Sequence, residues 1–178
     1  MFDNIKSLLR GEMPTKLLIK RGLKVGKKFN RQQGCIIDPH HCWLIEIGDN
    51  VTLAPRVHIL AHDASTKRYL NYTKIGRVSI GNNVFIGAGS IILPNVTIGD
   101  NVVIGAGSVI TKNIPEGNIV VGNPAKIIGK TCEFVDRNTE LFRSRPVYDK
   151  NWTLRNNISN KDKKIMISQL EDGVGFVE

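Results

Sequence analysis

One histidine stands where a polar stretch interrupts an otherwise regular chain. His62 opens the run His62-Asp63-Ala64-Ser65-Thr66-Lys67-Arg68-Tyr69-Leu70-Asn71-Tyr72-Thr73-Lys74. A neutral imidazole near physiological pH is suited to removing a proton from a hydroxyl or an amine. A histidine here can equally just hydrogen-bond a loop carbonyl, and the pattern alone favours neither role. His40, His41, Cys42 and His58 lie upstream and raise the question of metal. Their adjacent placement gives no known zinc spacing, so no metal is expected. Gly87-Ala-Gly-Ser and Gly105-Ala-Gly-Ser echo phosphate-binding loops. Each runs on into another apolar repeat rather than a helix, which rejects a dinucleotide fingerprint.

The elements that must position His62 are written in a strict period. Ile80, Ile86, Ile92, Ile98, Ile104 and Ile110 recur every sixth residue, and Ile47, Leu53 and Ile59 hold the same spacing upstream. A helix calls for apolar residues at three and four, and a half-buried strand for strict alternation. A six-residue period instead marks a parallel β-helix of short stacked strands. The position after the isoleucine is usually Gly, and the fifth position is compact: Val84, Ser90, Val96, Val102, Ser108, Ile114. Three such units close a triangular turn of about 18 residues whose rungs stack near ~4.8 Å. A β-sandwich would show turn signals every 8–12 residues and alternating strands, which this sequence does not. From Ile59 to Ile80 the spacing is 21 residues, so the register is expected to break once, between about Ala61 and Val78. A polar loop leaving a regular solenoid is usually functional. Upstream of Glu46 the pattern is looser, as a capping coil would be.

Composition narrows the function classes. At 178 residues the chain is one domain with room for a real core. No run of 18 apolar residues exists, so no membrane span is expected. Three cysteines, Cys35, Cys42 and Cys132, make no disulfide framework and fit a reducing cytoplasm. The net charge of +9 invites nucleic acid, but the lysines are dispersed, and no aromatic array or recognition motif accompanies them. Such a surface serves equally well for a small ligand bearing several phosphates. Ile5, Leu8, Leu9, Leu17, Leu18 and Ile19 suit a short amphipathic helix broken near Gly11 and Pro14. Ser159 is expected to cap a helix running through Leu170, with Gly173 near its end. The expected organisation is a helical segment over 1–24, a β-helix over 25–130 with an inserted loop at 62–77, and a partly helical extension over 131–178.

The stretch from Ile47 to Lys130 resembles the hexapeptide-repeat acyltransferases, in particular the galactoside, maltose and capsule-type O-acetyltransferases. The matching strings are Ile47-Gly-Asp-Asn-Val51, Leu53-Ala-Pro55, the loop-entry His62 and Ile80-Gly-Asn-Asn-Val-Phe-Ile-Gly-Ala-Gly89. They continue with Ile104-Gly-Ala-Gly-Ser-Val-Ile-Thr-Lys-Asn-Ile-Pro115 and Gly122-Asn-Pro-Ala-Lys-Ile-Ile-Gly129. The resemblance implies a left-handed β-helix, whereas a generic parallel crossover would predict the right hand. It implies acetyl-CoA as co-substrate and His62 as the base that deprotonates an acceptor hydroxyl. It places Ala88 and Ala106 along the pantetheine arm, Thr111 and Lys112 near the adenosine, and Lys126 near the phosphates. The next basic position of the family is Gly129 here, leaving Lys130 as a substitute. Asp38 matches a carboxylate that orients the histidine in the related serine acetyltransferases; it is also well placed as a turn residue before Pro39. The family's sugar-binding acidic and amide positions fall on Cys42 and Gly34, which argues against a simple galactoside or maltose acceptor.

The resulting expectation is an acetyl-CoA-dependent O-acetyltransferase of a sugar or glycan hydroxyl, in surface-polysaccharide synthesis. The resemblance further implies a homotrimer with His62 facing a shared groove. N-acetylation of an amino sugar or sugar nucleotide is the first alternative, and a non-catalytic solenoid the second.

Overall fold

The computed structural model describes residues 12–178, so Ile5, Leu8, Leu9 and Gly11 of the expected amphipathic helix lie outside the described residues. The chain divides into two compact units between Thr131 and Cys132, each described by itself below.

The first unit is a three-faced parallel β-helix. The first face stacks Lys24–Val25, Ile45–Ile47, Val78–Ile80 and Val96–Ile98. The second stacks Asn30–Arg31, Thr52–Leu53, Phe85–Ile86, Val103–Ile104 and Asn118–Gly122, and antiparallel Ala125–Lys130 closes it. The third stacks Ile36–Ile37, His58–Ile59, Ile91–Ile92 and Val109–Ile110. The register turns the six-residue period into vertical columns: Val25, Ile47, Ile80 and Ile98 on the first face. Leu53, Ile86, Ile104 and Val120 form the second column, and Ile37, Ile59, Ile92 and Ile110 the third.

Like lies on like because each rung is the same length, and the three columns meet in the middle. The nine ladder residues from Ile47 to Ile110 are each no more than 2% exposed. Burying a side chain of that size stabilises by roughly 1.5–3 kcal/mol, so this prism carries the unit's stability. The compact fifth positions are buried with them. Ser90 and Ser108 satisfy their hydroxyls by donating to the Gly105 carbonyl at 3.0 and 2.7 Å. Gly87 is required by close approach: an added Cβ would lie 2.4 Å from the Ala106 nitrogen on the next rung.

The register breaks three times rather than once: two insertions, and a two-residue shortening between Ile110 and Ile114, which bridges Ile98. Val25, Arg31 and Ile37 are already spaced by six and begin the columns, but ten residues separate Ile37 from Ile47. The first coil looked loose because Arg31 takes a ladder position at the end of the stack. Its guanidinium donates to the carbonyl of Met13 at 2.8 Å and to that of Cys35, closing the prism with polar atoms. Both insertions fall at one corner, between the third face and the first, and so does the shortening. A short helix, Thr15–Lys20, follows Pro14 and buries Leu18 completely.

The second unit begins with the helix Thr131–Ser144, of which all but its first residue lies beyond the cut. The sequence reading did not foresee this helix, although Phe134, Val135, Leu141 and Phe142 repeat at seven residues. Strands Val147–Tyr148 and Phe176–Val177 pair in parallel. The expected cap at Ser159 is present: its Oγ accepts from the Asp162 N–H at 3.1 Å and starts Asn160–Gln169. The Tyr148 hydroxyl donates to Gln169 Oε1 at 3.0 Å, tying that helix to the strand pair. Among the described residues no helix is long and apolar enough to cross a membrane.

Candidate active site

The two insertions deliver one residue each to the same corner. The short one follows Ile37 and turns on Asp38, whose Oδ1 accepts the N–H groups of His40 at 2.9 Å and His41 at 3.1 Å. This is the turn role open to a residue before Pro39. The long one follows Ile59 and makes an antiparallel ribbon, His62–Asp63 against Lys74–Ile75. Asp63 holds that ribbon by pairing with Lys74 at 2.8 Å and by accepting the Ser65 N–H at 2.8 Å. Thr66 donates to the Tyr72 carbonyl at 2.8 Å, and Asn71 takes the left-handed conformation that lets the loop return. The inserted loop is therefore a hydrogen-bonded structure that fixes the direction of His62.

Asp38 and His62, 24 residues apart in sequence, meet through Asp38 Oδ2 and His62 Nδ1. Oδ2 also accepts the Ala61 N–H at 3.0 Å. Both roles of Asp38 thus operate at once, Oδ1 shaping the turn and Oδ2 meeting the imidazole. The carboxylate is 1% exposed. Burial pushes its carboxyl up, but the hydrogen bonds from His62 and from the His40, Ala61 and His41 N–H groups outweigh burial. They hold it below its ordinary value of 3.8. A buried carboxylate at Nδ1 fixes the tautomer and leaves Nε2 as the nitrogen free to accept a proton. The His62 side chain remains 31% exposed, so a ligand can reach it.

Around this pair lie groups the sequence reading left unassigned. The His41 ring centroid is 5.2 Å from that of His62, and His40 is 6.1 Å away, edge to face. Trp43, 55% exposed, lies 5.3 Å from His41. A histidine pair directly after Asp38-Pro39 was the available signal, hidden because the separation from His62 says nothing about proximity. His58, flanked by inward Val57 and Ile59, stays on the outer side of its strand.

The residues expected to hold the co-substrate divide between two corners. Ala88 and Ala106 follow the second face, one full turn of the β-helix apart, with Gly107 N–H donating to the Ala88 carbonyl at 2.8 Å. Both are exposed, and among the described residues neither N–H has a hydrogen-bond partner. Ala88 and Gly89 help line an open groove of about 710 Å³ with Gly34, Pro55 and Arg56. Lys126, exposed, pairs with Val121 at the hairpin above this corner. Thr111 and Lys112 instead follow the third face, above the His62 corner. There Thr111 joins Asp63, Lys74, Ile75, Leu93 and Pro94 around a second pocket of about 410 Å³. Lys130 goes to neither corner: its ammonium donates to Asn118 Oδ1 at 2.9 Å, within the last sheet. One six-residue rung, at most about 20 Å of chain, thus separates the His62 corner from the Ala88–Ala106 corner.

A rigid prism of six-residue rungs with an ordered carboxylate–histidine pair at an expanded corner defines the class, a hexapeptide-repeat β-helix. The family model described as bacterial transferase hexapeptide (six repeats) matches residues 77–112. Protein CapG of Staphylococcus aureus is 42% identical over 123 residues, covering 67% of each chain. The crystal structure of a maltose O-acetyltransferase from Clostridium difficile superposes with a TM-score of 0.55 at 47% identity. It covers 61% of this chain and 59% of its own. A galactoside acetyltransferase in complex with coenzyme A superposes with a TM-score of 0.56 at 36% identity, covering 62% and 56%. The chain thus spans less than two thirds of the length of those two solved structures. The chain belongs to the hexapeptide-repeat acyltransferase family, and its β-helix is left-handed.

Proposed function

We propose that this chain transfers an acetyl group from acetyl-CoA to a sugar hydroxyl in surface-polysaccharide synthesis, with His62 as general base. The observation that carries this reading is the buried Asp38 carboxylate bonded to Nδ1 of a partly exposed His62. Similarity to CapG and to the maltose and galactoside acetyltransferases supports the reaction and the co-substrate.

In this mechanism His62 Nε2 takes the acceptor's hydroxyl proton while the oxygen bonds to the acetyl carbon. Asp38 stabilises the imidazolium, and His62 returns the proton to the departing sulfur, so no acyl-enzyme forms. Such a base supplies about 10²–10⁴-fold. The exposed N–H groups of Ala88 and Ala106 fit a thin amide-bearing arm, and one can donate to the developing oxyanion. Lys126 and Lys112 supply positive charge near the ends of that path.

Because His62 and the Ala88–Ala106 groove occupy different corners, we propose a homotrimer in which His62 of one subunit faces the groove of the next. We place the enzyme in the cytoplasm, where Cys35, Cys42 and Cys132 stay free.

The test is acetyl-CoA-dependent thiol release with hydroxyl- and amine-bearing sugars, in wild type and His62→Ala. Release with hydroxyl sugars that His62→Ala abolishes is expected, and an active His62→Ala would overturn the mechanism. Mixing His62→Ala chains with Ala106→Trp chains should restore turnover in co-assembled trimers. No recovery in a verified mixed trimer would sink the shared-groove reading.

A further inference from the structure

Three ligand atoms, one each from Asp38, His41 and His62, lie within 4.8 Å of one another. Tetrahedral zinc with bonds of 2.0–2.2 Å sets its ligands about 3.4 Å apart, so modest rotation of two imidazoles closes the set. His41 Nδ1 is buried and has no hydrogen-bond partner among the described residues. Buried polar atoms rarely go unpaired, and the ring that carries this one has its centroid 5.2 Å from that of His62. The carboxylate already has the support a metal ligand needs: N–H groups of His40, His41 and Ala61 fix both its oxygens. His62, partly exposed, leaves a fourth position open to water.

We propose that Asp38, His41 and His62 form an inhibitory site for a divalent transition-metal ion of the zinc type. Two imidazoles and one carboxylate make a nitrogen-rich set suited to zinc and unsuited to magnesium or calcium. The ion binds His62 Nδ1 in place of the hydrogen bond to Asp38, and the displaced proton moves to Nε2. With Nε2 already protonated, His62 can no longer take a proton from an acceptor. The same residues thus alternate between a base and a closed site, with His41 the one member that only the metal uses.

The binding half of this inference stands on geometry alone, and its inhibitory half rests on the reading of His62 as base. Zinc is titrated calorimetrically into the full chain carrying Cys132→Ser, which removes the exposed thiol. One zinc per chain is expected, weakened at least about tenfold by His41→Ala and by His41→Gln. Acetylated product is followed by mass spectrometry with and without zinc, each variant against its own zinc-free rate. Zinc should suppress the parent and spare both His41 variants at the same concentration. No zinc uptake at micromolar concentration, or equal affinity in the His41 variants, overturns the site. Uptake at His41 with undiminished acetylation overturns the inhibition. An inactive chain that still binds zinc through His41 sustains the site and sinks only the catalytic reading.

Discussion

The straight stack from Ile80 to Ile110 and the corner holding Asp38 and His62 are built by opposite rules. In the stack every rung is six residues, and each side chain is fixed by the identical one above and below. At the corner two rungs carry extra chain, and no side chain repeats. A rung length that changes inside the stack would shift every column, so insertions are tolerated only where the chain turns outward. The buried carboxylate shows what this permits. Asp38 draws its hydrogen bonds from the backbone of both expanded turns, from His40 and His41 in one and from Ala61 in the other.

The comparison breaks most sharply at His62. His62→Ala should lower turnover about 10²–10⁴-fold and cost only the hydrogen bond to Asp38, about 1–3 kcal/mol, because the side chain packs into no column. A large loss of stability would mean that the corner is part of the scaffold. Ile98→Ala tests the reverse. Its side chain is 1% exposed and sits in the first-face column, so about 2–5 kcal/mol of stability should be lost. Ile75→Ala, 59% exposed in the loop ribbon, should stay within about 0.5 kcal/mol in the same denaturation experiment. Equal losses would show that the loop and stack fold as one packed body.

Asp38→Asn sharpens the comparison at smaller scale. The amide can still accept the His40 and His41 N–H groups, so the turn survives. It no longer stabilises the imidazolium, and turnover should drop about 10–100-fold, the range for a supporting partner. The effect should fall on kcat rather than on KM for acetyl-CoA, whose proposed groove along Ala88 and Ala106 lies at another corner. A KM effect would mean that Asp38 shapes the co-substrate groove as well.

How much of this was legible follows from the same contrast. The stack was readable because a periodic constraint repeats in sequence, as in the pairing of Ile86 with Ile104, 18 residues on. Arg31 hid the first coil, since a capping side chain answers to the end of the prism rather than to its core. The left hand followed from family likeness alone, as no side-chain pattern here encodes it. His62 was marked by the break it opens. Asp38 could not be paired with it from spacing, because two insertions of unequal length place it there. His41 was visible only as one of several histidines, and the helix Thr131–Ser144 was missed despite its apolar spacing.

The smallest expected effect concerns acid. Burial raises the Asp38 carboxyl, but hydrogen bonds from His62 and three backbone N–H groups prevail, so its folded value lies below the ordinary 3.8. A depressed carboxyl contributes stability that is complete above its unfolded value and is lost as pH falls through the folded one. Asp63 and Asp100 are also held low, so acid unfolding of wild type alone cannot isolate Asp38. The stability difference between wild type and Asp38→Asn can, because the asparagine has no proton to bind. That difference should be constant above about pH 5 and shrink steadily below 3.8 in parallel denaturant titrations. A gap that holds its size at the lowest pH would mean that the carboxylate's hydrogen bonds do not favour the charged form. The buried pair would then be packing like the stack, and the distinction between the two regions would fail at its central residue.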